Sequence, residues 1–240
     1  MVGTKPLTIN TEQLLTLFPY EIPREVSSME DYPNVHILDH PLIRHKVAML
    51  RDVNTGHKNF RDLITEIATL MVYESFRDVP TMEIEVQTPL EKCKQTVVRD
   101  NSIAIIPILR AGLGMVDGIL SIFPSAKVGH IGMNRNEETH VPVEYYCKLP
   151  DHIEEKVVIV TDPMLATGGS ASAAIFQLKE HGCKRMKLLS IIAAPEGVER
   201  IHRDHPDVEV YIATLDRELN EDAYILPGLG DAGDRIFGTK

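Results

Sequence analysis

Tryptophan is absent from this 240-residue sequence, and aromatic residues make up only 5% of it. Proteins that bind single-stranded nucleic acid stack bases on aromatic rings, so this composition disfavours such a surface. Basic residues are outnumbered too, with 25 lysines and arginines against 35 acidic residues and a formal net charge of −10. A surface of this charge repels a phosphate backbone, and we therefore expect no nucleic-acid partner.

Cysteine is also scarce. The three cysteines, Cys93, Cys147 and Cys183, form no CxxC pair, and the ten histidines show no HExxH spacing. We expect neither a disulfide framework nor a metal site built from protein ligands. No apolar run reaches the roughly 18 residues of a membrane-spanning helix, and residues 1–10 lack the apolar segment of a signal peptide. These absences predict a cytoplasmic protein without a membrane partner.

The remaining composition, with 43% hydrophobic and 25% charged residues, is typical of a globular domain. Prolines interrupt residues 1–34, which we interpret as an N-terminal extension that packs on the body or on a neighbouring subunit. No linker or repeat divides the remainder, so residues 35–240 are predicted to form one domain.

Two helices are predicted early in that domain. The first begins at His40-Pro41, with an apolar face formed by Leu42, Val47, Met49 and Leu50. The second carries apolar residues at spacings near 3.6 between Phe60 and Val72.

Apolar strands alternate with helices after Ser102. Continuous apolar runs with β-branched residues are typical of strands buried on both faces, and alternation with helices predicts an α/β fold whose parallel sheet is flanked by helices. An acid–apolar alternation also predicts an earlier strand at Glu83–Val86. The later predicted strands are Ile103–Ile108, Lys127–Met133, Val157–Val160, Leu188–Ala193 and Val208–Ala213, and the helices between them include Ser170–Glu180 and one from Pro195 to about His205.

The segment that follows Val157–Val160 carries the clearest chemical signal. It contains Asp162 at the end of the strand and then Thr167-Gly168-Gly169-Ser170 before a helix. Amide N–H groups and the macrodipole at a helix N-terminus attract a phosphate group, and the two glycines allow the backbone to approach it closely. Asp162 could accept hydrogen bonds from sugar hydroxyls, at the sheet edge where open α/β sheets bind ligands.

A simple structural explanation competes with this one, because Thr167 could cap the helix in an ordinary strand-to-helix turn. A P-loop NTPase is disfavoured, since no lysine follows Gly169.

The Asp162–Ser170 segment resembles the loop that binds phosphoribosyl diphosphate (PRPP) in type I phosphoribosyltransferases, in the form found in the uracil phosphoribosyltransferase branch. Three further blocks carry the same resemblance, and together the blocks extend it over roughly His40–Lys240. These blocks are Pro107–Met115, Ala194–Gly197 and Tyr224–Asp234.

The resemblance implies transfer of ribose 5-phosphate from PRPP to N1 of uracil, giving UMP and diphosphate in pyrimidine salvage. It also implies a catalytic role for Asp162, Arg110 and Asp231. Arg110 would contact the diphosphate, although a surface salt bridge would also explain it. The implied PRPP-binding residues are Arg110, Arg135, Asp162, Pro163, Met164, Leu165, Ala166, Thr167, Gly168, Gly169, Ser170 and Asp231.

A mobile flap and a hood that binds the base are implied as well. Arg135 lies in a polar flap, Met133–Thr139, that would close over PRPP and exclude water; alone, it would be interpreted as a solvated loop charge. The tail, residues 220–240, resembles the hood that binds uracil, and alone it would be a glycine-rich surface loop. The implied uracil-binding residues are Ile225, Gly230, Asp231 and Ala232, which would match the donors and acceptors along one edge of the base.

The Asp162–Ser170 segment, called the phosphate loop below, departs from the pattern of many purine phosphoribosyltransferases, which carry further acidic residues in this loop. Here Pro163 follows Asp162 and Ala166 precedes Thr167, so no general base is evident. We expect catalysis by positioning and electrostatics, with Mg²⁺ bound mainly through PRPP.

Alternatives stay open at this stage. A PRPP-sensing regulator could use the same fold, and a different base could be the acceptor. The resemblance also implies a homodimer or homotetramer, and the sequence does not choose between these assemblies. It leaves open whether GTP activates the enzyme or a pyrimidine nucleotide inhibits it, as in some relatives.

Overall fold

The computed structural model describes residues 32–135 and 142–239, with the backbone alone at residues 134–135 and 142–144. Residues 1–31 of the predicted extension and the tip of the predicted flap lie outside the described residues. The described helices are α1 (Pro41–Arg51), α2 (His57–Ser75), α3 (Leu113–Ile122), α4 (Gly169–Glu180), α5 (Pro195–Asp204) and α6 (Ala232–Phe237).

The strands of the described chain follow the predicted pattern and add to it. They are β1 (Val35–Ile37), β2 (Thr81–Gln87), β3 (Lys92–Val98), β4 (Ile103–Leu109), β5 (Lys127–Val128), β6 (His130–Arg135), β7 (Pro142–Lys148), β8 (Val157–Thr161), β9 (Met164–Leu165), β10 (Arg185–Ala193), β11 (Glu209–Leu215), β12 (Glu218–Leu219) and β13 (Ile225–Leu226).

The main sheet confirms the predicted α/β class. Its strand order is β1-β11-β10-β8-β4-β6-β7, with β5 beside β4 and β9 beside β10. The strands pair in parallel throughout, apart from the antiparallel β6–β7 hairpin. Two small antiparallel pairs, β2–β3 and β12–β13, lie outside this sheet. The central strands β4, β8 and β10 are buried almost throughout, as their continuous apolar sequences predict.

One hydrophobic core lies between one face of the sheet and a layer that contains α1, α2, α3 and α6. The predicted apolar face of α2 is confirmed, because its positions from Phe60 to Val72 are fully or nearly fully buried. None of the helices in the described part of the chain combines the length and apolar character needed to cross a bilayer.

The predicted apolar face of α1 is partly wrong. Leu42 is 54% exposed and Met49 is 48% exposed, whereas Ile43, Val47 and Leu50 are buried. Ile43 lies one position beyond Leu42, about 100° further around the helix. The buried face is therefore rotated towards Ile43, and Leu42 and Met49 form a separate exposed stripe.

The predicted strand Lys127–Met133 is divided in two at Gly129. A Cβ at Gly129 would lie 2.8 Å from the carbonyl oxygen of Lys148, so only glycine fits where β7 ends. The close approach of a second chain segment explains why apolar patterning alone missed the break.

Candidate active site

The phosphate loop, Asp162–Ser170, connects β8 to α4 at the carboxyl edge of the sheet. Gly168 precedes the helix with a φ of +71°, a left-handed conformation that favours glycine. Because α4 starts at Gly169, its first amide N–H groups have no partner inside the helix and point out of its N-terminus. This end of the helix has the polarity that an anionic group requires.

Strand β10 and the start of α5 hold the loop in shape. The carbonyl oxygen of Pro163 accepts hydrogen bonds from the amides of Ile191 at 3.1 Å and Ile192 at 3.0 Å. A Cβ at Gly197 would lie 2.4 Å from the carbonyl oxygen of Ala166. The Ala194–Gly197 block therefore lies directly against the loop, which gives a physical reason for its place among the four blocks.

Asp162 is partly buried at the start of the loop. Burial raises the pKa of its carboxyl group from 3.8 to about 7, and a hydrogen bond from the amide of Met164 opposes that rise. The Met164 nitrogen lies 3.3 Å from Oδ1. The group therefore changes charge near neutral pH. In this pH range, a ligand that donates hydrogen bonds to the carboxylate would favour its ionised form.

Arg110 lies next to this loop because β4 and β8 are adjacent parallel strands, with Pro107 opposite Thr161. The Thr161 hydroxyl donates to the carbonyl oxygen of Gly112 at 3.1 Å, which joins the turn after β4 to the end of β8. The Arg110 side chain is 57% exposed. It is a cation held at the sheet edge and accessible to a ligand.

The hood approaches Arg110 from the other side. The Arg110 Nη2 atom lies 3.8 Å from Oδ1 of Asp234, and its guanidinium carbon lies 5.7 Å from the centre of the Phe237 ring. Asp231 caps α6, and its carboxylate accepts a hydrogen bond from the Asp234 amide at 2.8 Å. The structure thus brings Arg110 and Asp231 to one region through the C-terminal helix.

The hood folds back sharply between Ile225 and Gly230. Gly228 has a φ of +58° and Gly230 a φ of +82°, and the Leu226–Pro227 peptide is cis. Of the predicted uracil-binding residues, Ile225 and Ala232 are buried. Gly230 and Asp231 line a cavity of about 700 Å³ between the hood and the corner that joins α1 to α2.

The backbone of Arg135 ends the described part of β6. Strand β6 pairs with β4, with Gly132 opposite Leu109, so the hairpin that would carry the flap begins beside the Arg110 turn. Residues 136–141, which include Asn136–Thr139 of the predicted flap, lie outside the described residues.

Sequence reasoning missed three charged residues that hold the hood. Arg235 donates to the carbonyl oxygens of Leu229 at 2.9 Å and Asp52 at 2.6 Å, and its guanidinium carbon lies 4.3 Å from the centre of the Phe60 ring. The other two, Arg51 and Asp216, form an ion pair with each other. The available signal was weak, because Arg51 ends α1, Asp216 directly follows β11 and Arg235 lies within the short helix α6, and charged residues at such places are common at protein surfaces.

A small acidic group lies on another surface turn. His152, Glu154 and Glu155 have potential ligand atoms within 4.8 Å of one another, and all three are exposed. Exposed side chains with this arrangement are typical of a solvated turn, and we assign them no metal.

Comparison with known proteins agrees with the resemblance that the four sequence blocks carry. The family model described as uracil phosphoribosyltransferase matches residues 37–239. The chain belongs to the uracil phosphoribosyltransferase family. The sequence-based assignment to this family and the expected type of enzyme, a pentosyltransferase, are thereby confirmed.

Individual relatives show the same family membership. A uracil phosphoribosyltransferase from Thermoanaerobacter sp. (strain X514) is 62% identical over 209 residues, which cover 87% of this chain and 100% of the relative. One from Finegoldia magna is 59% identical over 206 residues, covering 86% of this chain and 99% of the relative. Among solved structures, the AQ2163 protein from Aquifex aeolicus is 39% identical with a TM-score of 0.82, covering 86% of this chain and 99% of that one.

Proposed function

We propose that the protein transfers the 5-phosphoribosyl group of PRPP to N1 of uracil in pyrimidine salvage. The observation that carries this proposal is the junction of the phosphate loop and the Arg110 turn at one sheet edge, with the hood beside them. The loop would bind the 5-phosphate and Asp162 the ribose hydroxyls. Arg110, Arg135 and Asp231 would bind or orient the rest of PRPP.

The reaction breaks the bond between C1 of the ribose and the diphosphate oxygen, and it forms the bond from C1 to N1 of uracil. Diphosphate leaves with both electrons of the broken bond, and uracil N1 loses its proton to solvent. Arg110 would stabilise the charge that develops on diphosphate. The loop contributes a single carboxylate, that of Asp162, so orientation of the two substrates would supply much of the rate.

Main-chain groups of Ile225, Gly230 and Ala232 would hold uracil. Cytosine reverses the donor and acceptor pattern at N3 and C4, and each buried group left unpaired costs about 1–3 kcal/mol.

The oxygen ligands available at the proposed site also bear on how Mg²⁺ would be held. Asp162 ionises only near neutral pH, and Asp231 is engaged with an amide, so this chain offers few free hard oxygen ligands here. Within the described residues, that set fits Mg²⁺ held mainly by PRPP oxygens and water, where it would neutralise the diphosphate.

The test is an assay with PRPP and Mg²⁺ in which uracil, cytosine and hypoxanthine are offered separately. We expect UMP and diphosphate from uracil alone. Absence of product with uracil would refute the proposal. Formation of product with hypoxanthine would show that the acceptor is a purine base. Retention of RNA at physiological salt without turnover would favour a regulator.

Further parts of the proposal follow from the resemblance. Residues 35–240 would form the catalytic domain and residues 1–34 an extension, in a cytoplasmic homodimer or homotetramer. GTP would be an activator. The exposed side chains of Leu42 and Met49 offer apolar area for assembly. Light scattering, and assays with and without GTP, test these parts.

A further inference from the structure

A partly buried ion pair connects α1 to the hood. Asp216 directly follows β11 and is 6% exposed. Its Oδ2 atom accepts hydrogen bonds from Nη1 of Arg51 at 2.7 Å and from the amide of Gly228 at 2.8 Å, while Oδ1 contacts Nη2 of Arg51. The Arg51 Nη1 atom also donates to the carbonyl oxygen of Gly228 at 2.7 Å. The pair therefore binds both main-chain polar groups of Gly228.

Gly228 is the tightest point of the hood. A Cβ there would lie 2.1 Å from the carbonyl oxygen of Ile225, so the chain reverses within a few residues. Ile225 and Gly230, on either side of this reversal, are the positions proposed to present main-chain groups to uracil. Recognition by main-chain groups cannot adjust through side-chain rotamers, so it depends on where the backbone is fixed.

We propose that Arg51 and Asp216 are positioning residues for base recognition. They set the location of the hood backbone through Gly228. Two parallel hydrogen bonds between a guanidinium and a carboxylate fix orientation as well as distance, which a lysine cannot reproduce. The inference rests on the proposed function, because it assigns the pair to uracil rather than to PRPP.

Arg51→Lys tests the proposal. It keeps the charge opposite Asp216 but loses the paired geometry, while Arg235 still anchors Leu229. We expect the KM for uracil to rise about tenfold, which corresponds to about 1.4 kcal/mol, with the KM for PRPP changed by less than about twofold. Hydrogen exchange at the amides of residues 225–232 should become faster.

Arg44→Lys is the matched control, because Arg44 lies on the same helix and pairs with Asp39. It should change neither KM nor exchange in the hood. Asp216→Asn keeps one oxygen that can accept from the Gly228 amide but turns an NH₂ donor towards the guanidinium of Arg51, and we expect an effect in the same direction that is at least as large.

Equal increases in both KM values, or hood exchange unchanged in Arg51→Lys, would overturn the inference. Failure of the proposed function is distinguishable, because the unmodified protein would then produce no UMP. That result would remove the role in uracil recognition, whereas the exchange measurement would still decide whether the pair orders the hood.

Discussion

Asp162 combines a partly buried carboxyl group with a position at the start of the phosphate loop. With its pKa raised to about 7, the free protein holds this group partly protonated at neutral pH. Ribose hydroxyls donate hydrogen bonds, so they bind the ionised form better. PRPP binding should therefore depend on pH in the range where the side chain titrates.

We expect the KM for PRPP to rise as pH falls below about 7, approaching tenfold per pH unit, and Asp162→Asn to remove that dependence. PRPP has its own ionisations, and the variant measures them separately. The check is the KM for PRPP between about pH 5.5 and 8.5 in both proteins. Identical profiles would show that Asp162 does not bind the ribose in its ionised form.

The same shift affects stability with a defined sign. The folded pKa lies above the ordinary value of 3.8, so the folded state binds more protons than the unfolded state between these two values. This group therefore lowers stability as pH rises from about 4 to 7. Relative to the unmodified protein, Asp162→Asn should become more stable across that range in urea unfolding experiments.

The Arg110 side chain is more than half exposed, and its contact with Asp234 at 3.8 Å is loose. Arg110→Ala should raise the KM for PRPP about 10- to 100-fold, since hydrogen bonds between charged groups are worth about 1.5–3 kcal/mol. The KM for uracil should change little. Arg44→Ala, at 58% exposure, is the control, and equal effects of Arg110→Ala on both substrates would make Arg110 structural.

At the scale of elements, helical periodicity predicted α2 because one face of this helix is buried. Continuous apolar runs predicted β4 and β8 because both faces of these strands are buried. The β6–β7 hairpin and the reversal at Gly228 were beyond prediction. The reversal depends on contacts with a chain segment distant in sequence, such as the hydrogen bond from Arg51 to the carbonyl oxygen of Gly228, whereas β6 and β7 pair with each other across the predicted flap.

The contact between α5 and the phosphate loop can be tested by Gly197→Ala. Alanine is the better helix former by about 1 kcal/mol, so without the contact the substitution would stabilise the protein. The added Cβ would instead lie 2.4 Å from the Ala166 oxygen and displace the loop.

We expect Gly197→Ala to lower the melting temperature and to raise the KM for PRPP more than that for uracil. Gly56→Ala is the control, because nothing lies within 4 Å of a Cβ there. A Gly197→Ala protein as stable as the original, with unchanged kinetics, would show that the loop tolerates movement of α5.

At the scale of the whole molecule, the predicted site residues come from the ends of β4 and β8, from β6 and from the hood. The sequence predicted the blocks, but their meeting depends on the sheet order that makes β4 and β8 neighbours. Arg51 and Asp216 could not be predicted as a pair, since 165 residues separate them.

A ligand that binds across these elements should stabilise all of them together. With PRPP and Mg²⁺ at about 100 times the Kd, we expect about 2.7 kcal/mol of added stability, or about 5–11 °C in the melting temperature. Ribose 5-phosphate at the same concentration should give a smaller shift, because it lacks the diphosphate and binds more weakly. Equal shifts of the melting temperature with both compounds would show that the phosphate loop alone supplies the binding free energy.

The order of the segments along the chain has a consequence for biosynthesis. Both strands at the sugar-phosphate end, and the loop between β8 and α4, precede residue 216, whereas the anchors of the hood reach back across 165 to 183 residues. On the ribosome, the nascent polypeptide therefore contains the loop proposed to hold the sugar phosphate before the hood proposed to hold the nucleobase. In the proposed reaction, selectivity for the acceptor would be the last property to be assembled.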